Sequence, residues 1–407
     1  MKLLVVGLNY APEQVGIGPY TAGLCEWLAG CGHNVEVVAG EPYYPEWRRR
    51  DGVSGPSARR VENGVGVRRC RHYIPSQPSG LKRLAHLFSF SLSALGPACA
   101  AARRQRPDAV FTVAPSLMSV PVAWLAAKLA GAKLWVHVQD FEAEAAFVTG
   151  LLKPGLTARL AQWLERRLLG LGRCVSAISP QMVARLQAKG IAAERSYELR
   201  NWANDSFKPD MTEAARYREE WNIGARHVAL YSGNIANKQG IELVVETARL
   251  LTAREDLVFV ICGEGPSRMR LEEQCAGQTN VQLHGLQPAG RMGGLLAMAS
   301  VHLLPQIPGA ADLVLPSKLT NMLLSGRPVV TTASEGTGLA AEVEGCGLVT
   351  EPGDAVKFAK AIERLLDDPA LAESLGAGAA ARARSHWQRD AILRRFEARL
   401  VALASAA

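Results

Sequence analysis

Two lysines, Lys238 and Lys318, stand where a β-type run gives way to a helix-type run. In YSGNIANKQGIELVVETARLL (231–251) the strand ends at Ser232-Gly233 and the helix begins near Gly240, which puts Lys238 just ahead of a helix N-terminus. In GAADLVLPSKLTNMLLSGRPVV (309–330) Pro316 and Ser317 mark a second helix start, with Lys318 in its first turn. Free backbone amides and the helix dipole favour an anion at such a point, and a lysine adds a mobile charge for a phosphate oxygen. Asp312, ahead of the second helix, and Asn321, one turn into it, offer a carboxylate and an amide to hydroxyl groups. That combination suits a sugar diphosphate. Taken singly, each lysine also reads as a solvated loop charge, and Asp312 as a helix cap.

Glycines mark three further crossings. NYAPEQVGIGPYT (9–21) follows the apolar run MKLLVVGL, so Gly16 and Gly18 lie between a strand and a helix. The dinucleotide fingerprint does not fit, because Thr21 stands where a third small residue belongs and Gly16 comes nine residues after Gly7. ICGEGP (261–266) places Gly263 and Gly265 where backbone can approach a ligand, and HGLQP (284–288) is a strand-end turn whose backbone suits a nucleobase. WVHVQDFEAEA (135–145) puts His137 and Asp140 at a strand's carboxyl end, where His137 either meets a sugar hydroxyl or is a satisfied core residue. No HxxxH, HExxH or DxD pair and no G-x-S-x-G elbow is present, which argues against a metal site and against a serine hydrolase.

The elements that must position these groups alternate between strand and helix. Strands are expected at 2–8, 34–40, 64–70, 108–114, 133–140 and 174–179, with helices over 19–30, 83–102, 119–130 and 156–170. A second series opens near 226 with RHVALYSG, DLVFVICG, NVQLHG, SVHLLP, RPVVTT and GLVT. Such alternation predicts two doubly wound parallel sheets of the α/β class, with ligands at the carboxyl ends of their strands and a cleft between them. The polar stretch 200–225 reads as the linker. The expected domains are 1–203 and 204–384, with a last helix near 385–405 long enough to return to the first.

Charge divides unevenly. Residues 1–200 hold 25 Lys and Arg against 14 Asp and Glu, whereas 201–407 hold 21 against 24. The first half therefore faces something anionic. Its candidates are Arg48 and Arg49, Arg68 and Arg69, Lys82 and Arg83, and Arg103 and Arg104. The last two pairs bracket LAHLFSFSLSALGPACAAA (84–102), an apolar stretch that suits a helix lying at a membrane interface or covering a sheet better than one crossing a bilayer. Eight scattered cysteines without a CxxC pair read as reduced thiols, and the N-terminus enters a strand without signal-peptide features, so an intracellular location is expected.

Together, the GIG loop, RNWANDSFKP, YSGNIANKQGIE, ICGEGP and PSKLTNMLLSGRPVV resemble the retaining sugar-nucleotide glycosyltransferases of family 4, which have the two-domain GT-B fold. Within that family NYAPEQVGIGPYT, PYYPEW, VHVQDFEAEA and ADLVLPSKLTN look most like the colanic-acid fucosyltransferase group of exopolysaccharide assembly. The resemblance implies a nucleoside-diphosphate sugar donor, plausibly GDP-fucose, a lipid-linked saccharide acceptor, no divalent metal, and a cytoplasmic protein held at the inner membrane face. It implies that Lys238 and the Ser317-Lys318 amides hold the diphosphate, that Gly16 and Gly18 approach the donor, and that His137 contacts the sugar near C6. Asp312 and Asn321 stand for the family's two glutamates, and Asn234 for its arginine. A sugar-nucleotide epimerase of the same fold, and a binding protein that keeps the donor site without the chemistry, are the alternatives. Nucleic acid is disfavoured because the basic clusters lack interleaved aromatics.

Overall fold

A computed structural model describes residues 1–13, 16–49, 59–77, 80–114, 116–141, 155–203, 208–235, 239–307 and 316–405, without the side chains of Leu156 and Ser317. The chain divides into two units, Met1–Arg200 with Asp390–Ala407, and Asn201–Arg389.

The first unit is built on eight strands: β1 (Lys2–Gly7), β2 (Asn34–Gly40), β3 (Arg60–Glu62), β4 (Val65–Cys70), β5 (Ala109–Ala114), β6 (Lys133–Val138), β7 (Cys174–Ala177) and β8 (Ser196–Glu198). Their order is β3-β4-β2-β1-β5-β6-β7-β8, parallel except for the β3–β4 pair. The Val- and Leu-rich runs of β1 and β5 are buried on both faces, as a parallel sheet covered by helices requires. Because the chain winds leftward from β1 and then returns from β4 to β5, successive right-handed crossovers put helices on both faces. The helices Gly80–Gln105, Val120–Ala130 and Leu156–Gly170 share one face. On the other, helix Arg389–Ser405 drives Phe396 edge-on against Phe111 and Trp135, with ring centroids 5.5 and 5.0 Å away.

The second unit carries β9 (His227–Ser232), β10 (Leu257–Cys262), β11 (Val281–His284), β12 (Val301–Leu304), β13 (Val329–Thr332) and β14 (Gly347–Thr350), all parallel in the order β11-β10-β9-β12-β13-β14. Strand order reverses between β9 and β12. In an open α/β sheet that reversal leaves a crevice beyond the carboxyl ends, because the flanking helices diverge to opposite faces.

Three elements differ from the sequence expectation. β3 and β8 are three-residue edge strands, too short for any periodicity to show. The supposed linker contains helix Met211–Glu220, capped by Asp210, whose carboxylate accepts from the Glu213 amide at 3.0 Å. Only Ala214 and Tyr217 of that helix are buried, so its sequence reads as polar throughout.

Removing the Phe396 ring tests the packing of the last helix. Phe396→Ala should cost about 3–5 kcal/mol in denaturant unfolding. Val401→Ala, at a 40% exposed position of the same helix, should stay within about 0.5 kcal/mol. A loss below about 1 kcal/mol for Phe396→Ala would show that the helix contributes little to the unit.

Candidate active site

At the β9–β12 reversal, the end of β9 supplies Tyr231 and the first turn of helix Ser317–Leu324 supplies Lys318. The Lys318 ammonium donates to the Tyr231 hydroxyl at 3.2 Å and lies 4.2 Å from the ring centroid. Tyr231 donates in turn to the Asn234 carbonyl at 2.7 Å. No carboxylate among the described residues lies within ion-pair distance of Lys318, so burial alone pulls its pKa down to about 7. Among the described residues no side chain caps the helix after Pro316; Leu319 N–H donates to the Pro316 carbonyl at 3.0 Å, and the two amides before it are left for another acceptor. A desolvated ammonium, a hydroxyl and an uncapped helix start converge here, an arrangement that favours an anion.

The neighbouring loops explain the glycines. A Cβ on Gly263 would stand 1.9 Å from the Gly233 carbonyl oxygen, and one on Gly265 2.2 Å from that of Ile235 and 2.5 Å from Asn234 Oδ1. Only glycine lets the β9 and β10 loops lie this close. They are joined by Gly233 N–H to Cys262 O and Ile235 N–H to Glu264 O, both 2.9 Å. Arg268, absent from the sequence expectation, donates to the carbonyls of Gly263 and His284 at 2.9 and 2.8 Å and so fixes the β10 and β11 ends together. The His284 ring stacks on Trp221 at 3.7 Å, and Tyr217 donates to Gln287 at 3.1 Å. The helix Met211–Glu220 thus supports the 284–288 turn.

In the first unit the glycine loop is tied to the β2 side by Glu13, another residue that sequence reasoning missed. Its buried carboxylate accepts from the amides of Tyr43 and Tyr44, both at 3.1 Å, and from Asn9 at 2.9 Å. Gly18 packs under it, and a Cβ there would be 2.9 Å from that of Glu13. Gly16 takes φ +72° beside the Tyr44 ring. The only sequence signal for Glu13 is an acid inside an otherwise uncharged loop.

His137 is buried, with both ring nitrogens engaged inside its unit. Gln139 donates its amide to Nε2 at 3.1 Å, which leaves the proton on Nδ1 facing Ser176 Oγ at 2.8 Å. Burial, opposed only weakly by Ser176, pulls its pKa down to about 3, so the ring is neutral. Direct contact with a sugar requires Gln139 to yield. Asn321 lies one turn into the helix, half-buried. Lys238 and Asp312 fall outside the described residues.

The eight basic residues lie on three stretches: the segment after β2, strand β4 and the two ends of helix Gly80–Gln105. Arg49 is held by buried Glu41 at 2.9 Å, Arg69 by Glu62 at 2.6 Å, and Arg104 by buried Glu36. Those three pair with acids of their own unit, and Arg49 and Arg104 stay half-exposed beside them. Arg68 lies on β4 and Arg48 is exposed. Lys82 and Arg83 sit some 30 Å along one helix from Arg103. Among the described residues no group of His, Cys, Asp or Glu is placed to hold a metal ion.

Two Rossmann-like sheets, the second with an anion-favouring reversal point, make up a two-domain GT-B architecture. Residues 15–202 match the glycosyl transferase 4-like domain and 226–368 the glycosyl transferases group 1 model. WcaI of Escherichia coli strain K12, named as a colanic acid biosynthesis glycosyl transferase, is 42% identical over 364 residues, 88% of each chain. Among solved structures, sucrose-phosphate synthase from Thermosynechococcus elongatus superposes with TM-score 0.74 over 100% of both chains at 20% identity. HepE of Anabaena in complex with UDP gives 0.72 over 99% of this chain and 100% of its own at 15% identity, and both likenesses concern the fold. The chain belongs to glycosyltransferase family 4.

Gly265→Ala tests the loop approach. It should destabilise the second unit by more than about 2 kcal/mol and abolish nucleotide-induced stabilisation. Gly290→Ala, where a Cβ meets nothing within 4 Å, should change neither. Wild-type nucleotide response in Gly265→Ala would contradict the geometry.

Proposed function

We propose that this glycosyltransferase moves a sugar from a nucleoside diphosphate onto a lipid-linked saccharide in colanic-acid-type exopolysaccharide assembly, at the cytoplasmic face of the membrane. The observation that carries the donor site is the half-buried Lys318 against Tyr231 at the sheet's reversal point, with no carboxylate in ion-pair distance among the described residues. The pathway follows from 42% identity to WcaI over most of both chains. GDP-fucose is the donor proposed, on the motif resemblance to the exopolysaccharide fucosyltransferase group.

The chemistry asked of the chain is stabilisation of charge. The bond from the sugar's anomeric carbon to the diphosphate breaks, and negative charge develops on the departing oxygen. Lys318 and the helix amides meet that charge where water is scarce, the electrostatic contribution that dominates many such reactions, and no metal is required of them. Lys238 adds a second cation to the diphosphate, and Asp312 and Asn321 bind hydroxyls. The acceptor oxygen bonds to the same face of the anomeric carbon, and its proton passes to the departing phosphate, so configuration is retained. His137 fixes Gln139, and that pair meets the sugar near C6.

Lys318→Met separates binding from folding. Losing a desolvated cation should leave stability unchanged or raised, while nucleotide stabilisation disappears and kcat falls on the order of 10²-fold. In the wild type, GDP or GDP-fucose at a hundred times its Kd should add about 2.7 kcal/mol. A response confined to UDP sugars would replace the donor, and no response to any of the GDP, UDP, ADP or CMP series would overturn the reading.

A further inference from the structure

Large apolar side chains that face solvent are concentrated in one region of the first unit. Of the twenty-one that are exposed among the described residues, eleven lie on the three neighbouring helices Gly80–Gln105, Val120–Ala130 and Leu156–Gly170. On the first of these, Leu81, Leu84, Phe88, Leu92 and Leu95 recur every three or four residues and form one stripe along its length. Its other side buries His86, Phe90, Ala94 and Ala98 in the unit's core, so the helix lies on the sheet and is not free to cross a bilayer. Trp124 and Leu129 continue the surface on the second helix, and Leu160, Trp163 and Leu164 on the third.

The charge on these helices is of one sign. Across all three the only acid is Glu165, which is buried and held by Lys189 at 2.6 Å. Lys82, Arg83, Lys128, Arg159, Arg166 and Arg167 are all exposed. Lys128 lies 5.9 Å from the Trp124 ring centroid and Arg167 5.5 Å from that of Trp163, so each tryptophan carries a cation beside its apolar body. Apolar rings that enter the acyl boundary, with cations level with the headgroups, complement an anionic lipid surface.

We propose that these three helices form a docking platform for an anionic phospholipid bilayer, with Trp124 and Trp163 as interfacial anchors. The platform deepens the proposed transfer to a lipid-linked acceptor, and rests on that reading only for its purpose. A second copy of the chain is the competing occupant, but two surfaces of uniform positive charge would repel each other.

The full-length protein is sedimented with vesicles of phosphatidylcholine, with and without phosphatidylglycerol, at low and high salt. Binding is expected only with phosphatidylglycerol and should fall with salt. Arg166→Gln combined with Arg167→Gln should weaken it roughly 25-fold. Leu160→Glu with Trp163→Glu should weaken it at least as much. The nucleotide-induced melting shift, read on the same samples, reports folding and the donor site independently, so failure of the platform and failure of the transferase reading are distinguishable. Three results would overturn the platform: no binding to either vesicle, equal salt-independent binding to both, or a dimer in solution that Trp163→Glu dissolves.

Discussion

A half-buried ammonium group with no carboxylate in ion-pair distance among the described residues is the constraint around which the second unit's candidate site is organised. Lys318 is held against the Tyr231 ring and hydroxyl, and among the described residues no acid compensates it. Its pKa near 7 expresses the cost of that burial. A protein that needed only a stable fold would place an acid or an apolar residue there. A charge without a carboxylate among the described residues, a helix start beside it and closely approached glycine loops are the features an incoming anion would use.

The two units apply one topological rule to different tasks. Each sheet reverses its strand order once, between β1 and β5 in the first and between β9 and β12 in the second. In the second unit, Lys318 stands at the reversal. The first presents the Gly16–Gly18 loop, fixed to Tyr43 and Tyr44 through Glu13, and carries neutral His137 farther along its sheet. Cations in the first unit serve two purposes. Some neutralise the buried Glu36 and Glu41, while others remain exposed beside apolar rings.

Most of this architecture was readable from the chain. Runs such as NVEVVAG and GLVT become strands with the expected ends, because β-branched residues bounded by glycine leave few alternatives. The short edge strands and the helix Met211–Glu220 were not readable, since neither strand has a buried residue and the helix has only two, which create no period. The helix start at Ser317 and the close approach at Gly263 and Gly265 were legible because a helix start and a glycine pair have local signatures. Glu13, Arg268 and the intramolecular partners of Arg49, Arg69 and Arg104 had none. Each depends on contacts with residues distant in sequence, such as Arg104 with Glu36, which only the folded sheet brings together. His137 shows the same limit: its position at a strand end was clear, but its engagement by Ser176 and Gln139 was not.

The central claim is that Lys318 is a charge-starved anion receptor. It is tested most directly by proton uptake on nucleotide binding, measured calorimetrically at pH about 8 in buffers of different ionisation enthalpy. Free Lys318, with a pKa near 7, is mostly neutral there, and a phosphate beside it raises that pKa. Binding of GDP should then take up close to one proton in the wild type and none in any residual binding to Lys318→Met. Tight binding to the wild type without proton uptake would contradict the claim.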